Sequence, residues 1–193
     1  MRVFVAVLVL IFSLQSWTMA EDVTEFQINI YSVGDSLLKF KSNELIEQKE
    51  KEFFPGSKKF YRISFSIEDE NYDFVAFYLK NNDTNYNIYS LEGLKYLNYS
   101  ECKKKMDKIK NAMKNNFSDN FQITKNELPH KFDKTKKSMV KIIDFIGPDH
   151  YTISRIICTD WAKKMEDDGF YDSLAIYLLS EEFSNFMLNE AYK

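Results

Sequence analysis

Glycine is scarce in this chain, five residues in 193, and proline scarcer still at three. So few glycines exclude the glycine-rich loops that cradle phosphates and leave room for only a handful of close backbone approaches. The two histidines, His130 and His150, have no cysteine, aspartate or glutamate near them at a metal-ligand spacing. There is no nucleophile elbow, zinc-protease helix or calcium-loop pattern. Glu68-Asp69-Glu70 and Asp167-Asp168 fall at turn-like positions, where solvation accounts for them better than paired-carboxylate catalysis does. The chain reads as non-enzymatic, and no metal or cofactor is expected.

Long apolar runs are confined to the first twenty residues. Met1-Arg2 is a positive start, Val3 to Leu14 an apolar run, and Thr18-Met19-Ala20 puts small residues at the two positions that a signal peptidase reads. A signal peptide over residues 1–20 is predicted, and with it a secreted, extracellular protein. No later stretch is long enough to span a bilayer, so no stable membrane insertion is expected.

Cysteine is limited to Cys102 and Cys158. In an oxidising compartment an even pair reads first as a disulfide, with buried free thiols or an intermolecular bond as the alternatives.

Charge is abundant but uneven. Removal of Arg2 with the leader leaves 25 basic residues against 29 acidic. Residues 100–141 carry 12 lysines and 5 acids, whereas 142–193 carry 4 basic residues and 10 acids. Lys103, Lys104 and Lys110 belong to the basic middle, which is either a solvated face or a surface for an anionic glycan. Secretion and net negative charge argue against nucleic acid.

Hydrophobic residues make up 45% of the chain and aromatic residues 16%, ample for a packed core. The stretch Tyr72-Asp73-Phe74-Val75-Ala76-Phe77-Tyr78-Leu79 is nearly spelled again as Tyr171-Asp172-Ser173-Leu174-Ala175-Ile176-Tyr177-Leu178. In both, alternate residues are aliphatic or aromatic, the period-two signature of a strand with one face in a core. Tyr61-Arg62-Ile63-Ser64 and Tyr151-Thr152-Ile153-Ser154 precede the copies, so a helix-and-hairpin unit built twice is one reading and chance convergence the other.

Taken in order, Glu25 to Tyr31 reads as a strand and Asp35 to Phe54 as a helix broken near Ser42. Tyr61 to Ile67 and Tyr72 to Leu79 form a hairpin, and Tyr86 to Leu91 adds a strand. Asn98 caps a helix whose stripe Cys102, Met106, Ile109, Met113 and Phe117 would cover that meander. Phe121 to Lys137 reads as a long connection, and Met139 to Ile146 as a short helix or a strand. Tyr151 to Cys158 reads as a strand and Asp160 to Asp168 as a helical turn. Ser180 caps a last helix with Phe183, Phe186, Met187 and Ala191 inward. The fold class is α+β, an antiparallel sheet covered by helices. Residues 21–193 form a single domain or two fused halves, about 21–99 and 100–193.

Asn82, Asn98 and Asn116 head N-glycosylation sequons. If helices cover only one face of the sheet, Tyr72, Tyr78, Tyr171 and Tyr177 line the other, a surface suited to an extracellular protein partner or to a small hydrophobic ligand. The expected function is a secreted binding protein, an effector or inhibitor acting by protein contact, or else a carrier of a small hydrophobic ligand.

A helix laid on an antiparallel meander resembles the cystatin-like fold, and a doubled unit resembles paired cystatin-like domains. The likeness is architectural. The Gln-x-Val-x-Gly segment by which cystatins block cysteine proteases is absent, since Tyr31-Ser32-Val33-Gly34 keeps only its last two key positions.

Overall fold

A computed structural model describes residues 27–116, 121–148 and 150–193. The predicted signal peptide lies outside the described residues, as do Phe117 and Ser118 of the third sequon.

The described chain is α+β. Strands β1 (Gln27–Ile28) and β2 (Tyr31–Ser32) make a small hairpin, followed by a 3-10 turn at Leu37–Lys39 and helix α1 (Asn43–Glu47). Strands β3 (Glu52–Phe54), β4 (Ser57–Ser66), β5 (Phe74–Lys80) and β6 (Ile88–Tyr96) then form a meander. Helix α2 (Tyr99–Asn116) leads into a second meander of β7 (Gln122–Pro129), β8 (Met139–Ile146), β9 (Thr152–Asp160) and β10 (Ser173–Leu179). The short helix α3 (Lys163–Asp167) lies between β9 and β10, and α4 (Glu181–Asn189) follows β10. Strands β3 to β10 belong to one eight-stranded antiparallel sheet in the order β3-β4-β5-β6-β10-β9-β8-β7. The meanders therefore meet last strand to last strand, with Leu91 opposite Leu178 and Glu92 opposite Tyr177.

One face of the sheet carries the main core. Ile63, Phe77, Leu91, Leu178 and Ile156 share that face, and each is at most 1% exposed. Asn98 accepts the amide of Glu101 at 3.0 Å, and the α2 stripe of Cys102, Met106 and Met113 is buried. The helix lies over β9 and β10, not over the first meander as expected. Its place above the first meander is taken by the segment before β3, where Tyr31 meets the rings of Phe77 and Phe40 edge-on at 4.8 and 5.0 Å. Ile28 and Tyr72 crowd Gly93 there. A β-carbon at that position would stand 2.5 Å from the Tyr72 ring, so β6 carries a glycine under them.

Three further expectations are corrected. The strand over 25–31 turns back at Asn29 (φ 59°), which buries Ile28 and leaves Ile30 56% exposed. The helix over 35–54 is a 3-10 turn, a five-residue helix and strand β3. Ser36 caps the first at the Leu38 amide and Ser42 the second at the Leu45 amide, so one helical spacing covered separate local structures. The connection over 121–137 contains β7, an edge strand paired to β8 along its length. Most of its side chains are exposed, and without a buried face it has no period-two signal.

Cys102 and Cys158 form a disulfide that joins α2 to β9, and both are fully buried. It closes a 56-residue separation, worth about 4 kcal/mol in the chain-entropy account. A Cys102→Ser/Cys158→Ser double variant is expected to lose roughly that much stability in urea unfolding.

Candidate functional site

The opposite face of the sheet is covered only in part. Alternation turns Arg62, Tyr78, Glu92, Tyr177 and Arg155 onto it, and α4 packs over one end. Ser180 caps α4 at the Phe183 amide (3.2 Å), and the Thr152 amide donates to the Ser184 hydroxyl at 3.0 Å, tying the helix to β9. Phe183 and Phe186 then meet Phe60 and Phe54 in a second, aromatic core.

Beyond α4 the face curls. Eight strands laid flat would separate the edges by roughly 34 Å. Yet Phe54 on edge strand β3 meets the Tyr192 ring at 6.0 Å, and Lys131, just past the other edge strand β7, sits over the same ring at 4.9 Å. Two adjoining clefts fill the concavity. One, of about 460 Å³, lies between α4 and strands β9 and β10. The other, of about 570 Å³, lies against β3 and β4. Phe54, Tyr78, Lys131 and Tyr192 line both.

The floor is polar. Glu92, 6% exposed, accepts from Tyr78 Oη (2.9 Å), Tyr177 Oη (3.0 Å) and Arg62 Nε (3.1 Å). Arg62 Nη1 also reaches Glu52 on β3 at 3.1 Å. Burial pushes both phenols well above their ordinary value, and the Glu92 carboxylate pushes the same way, so both remain hydrogen-bond donors through the neutral range. Farther along, Arg155 pairs with Asp144 of β8 through Nε and Nη2.

The mouth is apolar. Phe132 and Leu188 are each 65% exposed, and Tyr192 59%. Phe132 and Lys131 ride on the β7–β8 loop, which Asp133 organises. Its carboxylate accepts from the amides of Thr135, Lys137 and Ser138 and from the hydroxyls of Thr135 and Ser138. His130 lies 4.1 Å from the Trp161 ring, and its Nδ1 accepts the Phe132 amide.

Of the residues singled out by sequence, the structure brings Tyr78 and Tyr177 together at Glu92. Tyr72 faces the main core, and Tyr171 is 62% exposed at the far end of β10, beside Tyr96. The lysines lie on α2, across the sheet from the clefts: Lys103 over the Tyr99 ring, Lys104 exposed, Lys110 paired with Asp107. Asn82 is exposed at the β5–β6 turn, and Asn98 caps α2. Asn116 ends α2. Lys131 and the rim of Phe132, Leu188 and Tyr192 were not foreseen, because each belongs to a stretch without periodic signal or to a helix's outer side, and Arg155, on a strand that was expected, gains its place only from the pairing of β9 with β8 and β10. Among the described residues, no group of three or more His, Cys, Asp or Glu could hold a metal ion, and no helix is long and apolar enough to cross a membrane.

The loop should open in acid. The Thr135 hydroxyl and then the Ser138 amide hold the Asp133 carboxyl well below the usual carboxylate range, and burial followed by the Lys131 charge lowers His130. Both folded values lie below the unfolded ones. The His130 contribution is therefore complete above pH about 6.5 and the Asp133 contribution above about 3.9, and each is lost as pH falls further. Hydrogen-exchange protection of residues 130–138, taken relative to the intrinsic amide rate at each pH, should fall on acidification, and Asp133→Ala should lower it about tenfold or more at neutral pH. Comparison with known protein families, with curated proteins and with solved structures finds no match.

Proposed function

We propose that this is a secreted, non-enzymatic binding protein, an extracellular effector or inhibitor that engages another protein through the curled face and its aromatic rim. The observation that carries this is the exposure of Phe132, Leu188 and Tyr192 around the cleft mouth, on a face whose floor is already hydrogen-bonded and rigid. Large exposed rings over a fixed polar floor are what a contact surface needs, since little ordering is left to be done on binding. A buried disulfide is compatible with export. A second reading, a carrier of a small hydrophobic ligand, is favoured by the cleft between the sheet and α4, whose volume suits such a ligand.

The same reading takes the chain as two fused halves of cystatin-like architecture, each a helix followed by a four-stranded meander. Topology supports the doubling. The internal similarity does not run in step with it, since β4–β5 resemble β9–β10 while the symmetry of the sheet pairs β5 with β9. The α2 lysines are proposed as a separate surface for an anionic glycan, and Asn82, in an exposed turn, as a glycosylated asparagine.

Capture from the extracellular fluid of the source tests the main reading. A partner retained by the unaltered protein should be lost with Phe132→Ser/Leu188→Ser/Tyr192→Ser and kept with Lys103→Glu/Lys104→Glu/Lys110→Glu; the reverse pattern would overturn it. Native mass spectrometry of protein from its source should show a glycan mass that disappears in Asn82→Gln.

A further inference from the structure

The cleft beneath α4 is lined by Arg155 and Lys131 and by no carboxylate. Arg155 spends Nε and Nη2 on Asp144, which leaves Nη1 without a partner among the described residues, and its side chain is 41% exposed. Lys131 makes no ion pair among the described residues and meets only the rings of Phe132 and Tyr192. Of the two lining cations Arg155 is thus paired with Asp144 and Lys131 is unpaired, while the Glu92 carboxylate beneath the floor is already met by Arg62 and the two phenols. Around it stand Phe54, Phe183, Met187 and Leu188.

We infer that this cleft binds a small amphipathic monoanion, a carboxylate on an apolar body, with the head group between Arg155 Nη1 and Lys131 Nζ and the body against α4. This rests on the reading that the curled face is the binding surface and specifies the occupant of its cleft. A neutral apolar ligand would cover Lys131 without compensating its charge, which is costly. A dianion would exceed the single unpaired cation that the lining offers. A carboxylate matches both the charge and the forked donor of arginine.

Calorimetry of the purified protein with dodecanoate and dodecylammonium below their micellar concentrations, and with dodecanol below its solubility limit, tests the inference. Dodecanoate should bind once per chain, about tenfold or more tighter than either analogue, and more weakly as salt rises. Lys131→Gln, on an exposed loop, should weaken dodecanoate about tenfold while leaving dodecanol binding and thermal stability unchanged. Arg155→Lys should weaken it too, and because that variant also disturbs Asp144, Lys131→Gln is the deciding one. Equal binding of dodecanol, no uptake of dodecanoate, or indifference to Lys131→Gln would overturn it. If dodecanoate fails while rim-dependent partner capture survives, only the anion site falls; if capture fails while dodecanoate binds, only the protein-contact reading falls.

Discussion

One carboxylate holds the centre of the sheet. Glu92 stands on β6 where the two meanders meet, and its donors come from three other strands: Arg62 on β4, Tyr78 on β5 and Tyr177 on β10. Through Arg62 the network extends to Glu52 on edge strand β3. A buried carboxylate is costly unless it is hydrogen-bonded and paired, and three donors at 2.9 to 3.1 Å, one of them cationic, meet that need. Removing any one leaves the others facing an incompletely satisfied charge, so the network behaves as a unit. The Ser90 hydroxyl adds a bond to the Leu178 carbonyl across the same seam. What fixes the sheet is therefore also the floor of the clefts.

The internal similarity has a local explanation. The two matching stretches become β5 and β10, the strands that flank β6 on either side. Both run antiparallel to it, both bury Val75, Phe77 and Leu79 or their counterparts Leu174, Ile176 and Leu178, and both turn a tyrosine to the same glutamate. Strands with the same neighbour and the same two packed faces face the same demands at each position.

Much of this was legible from side-chain pattern alone. Hairpin β4–β5, helices α2 and α4 and the Cys102–Cys158 bond all carry a periodic face or a cap that survives into the structure. The segment before β3 was misread because Leu38, Leu45 and Phe53, which seemed to complete a helical stripe, are 42%, 39% and 40% exposed, while Leu37 and Ile46 are buried by separate turns. Strand β7 was hidden because an edge strand with both faces wet leaves no alternation. The cleft was half legible. Tyr78 and Tyr177 stood out, but Glu92 looks like any acid in a strand until its three donors converge, and Arg155 and Lys131 meet only through the curl of the sheet.

The seam also sets the order in which the molecule can be made. β6 ends at Tyr96 and its partner β10 begins at Ser173, so during synthesis a finished four-stranded meander must wait with one long side unpaired. Such an open edge invites pairing with other chains. The sulfur bridge between α2 and β9 joins two elements that both precede β10 in the chain, and it holds β9 where β10 can dock. Oxidation of this pair is then an assembly aid as well as a brace, because it fixes the neighbour beside which the strand that covers the open edge must settle.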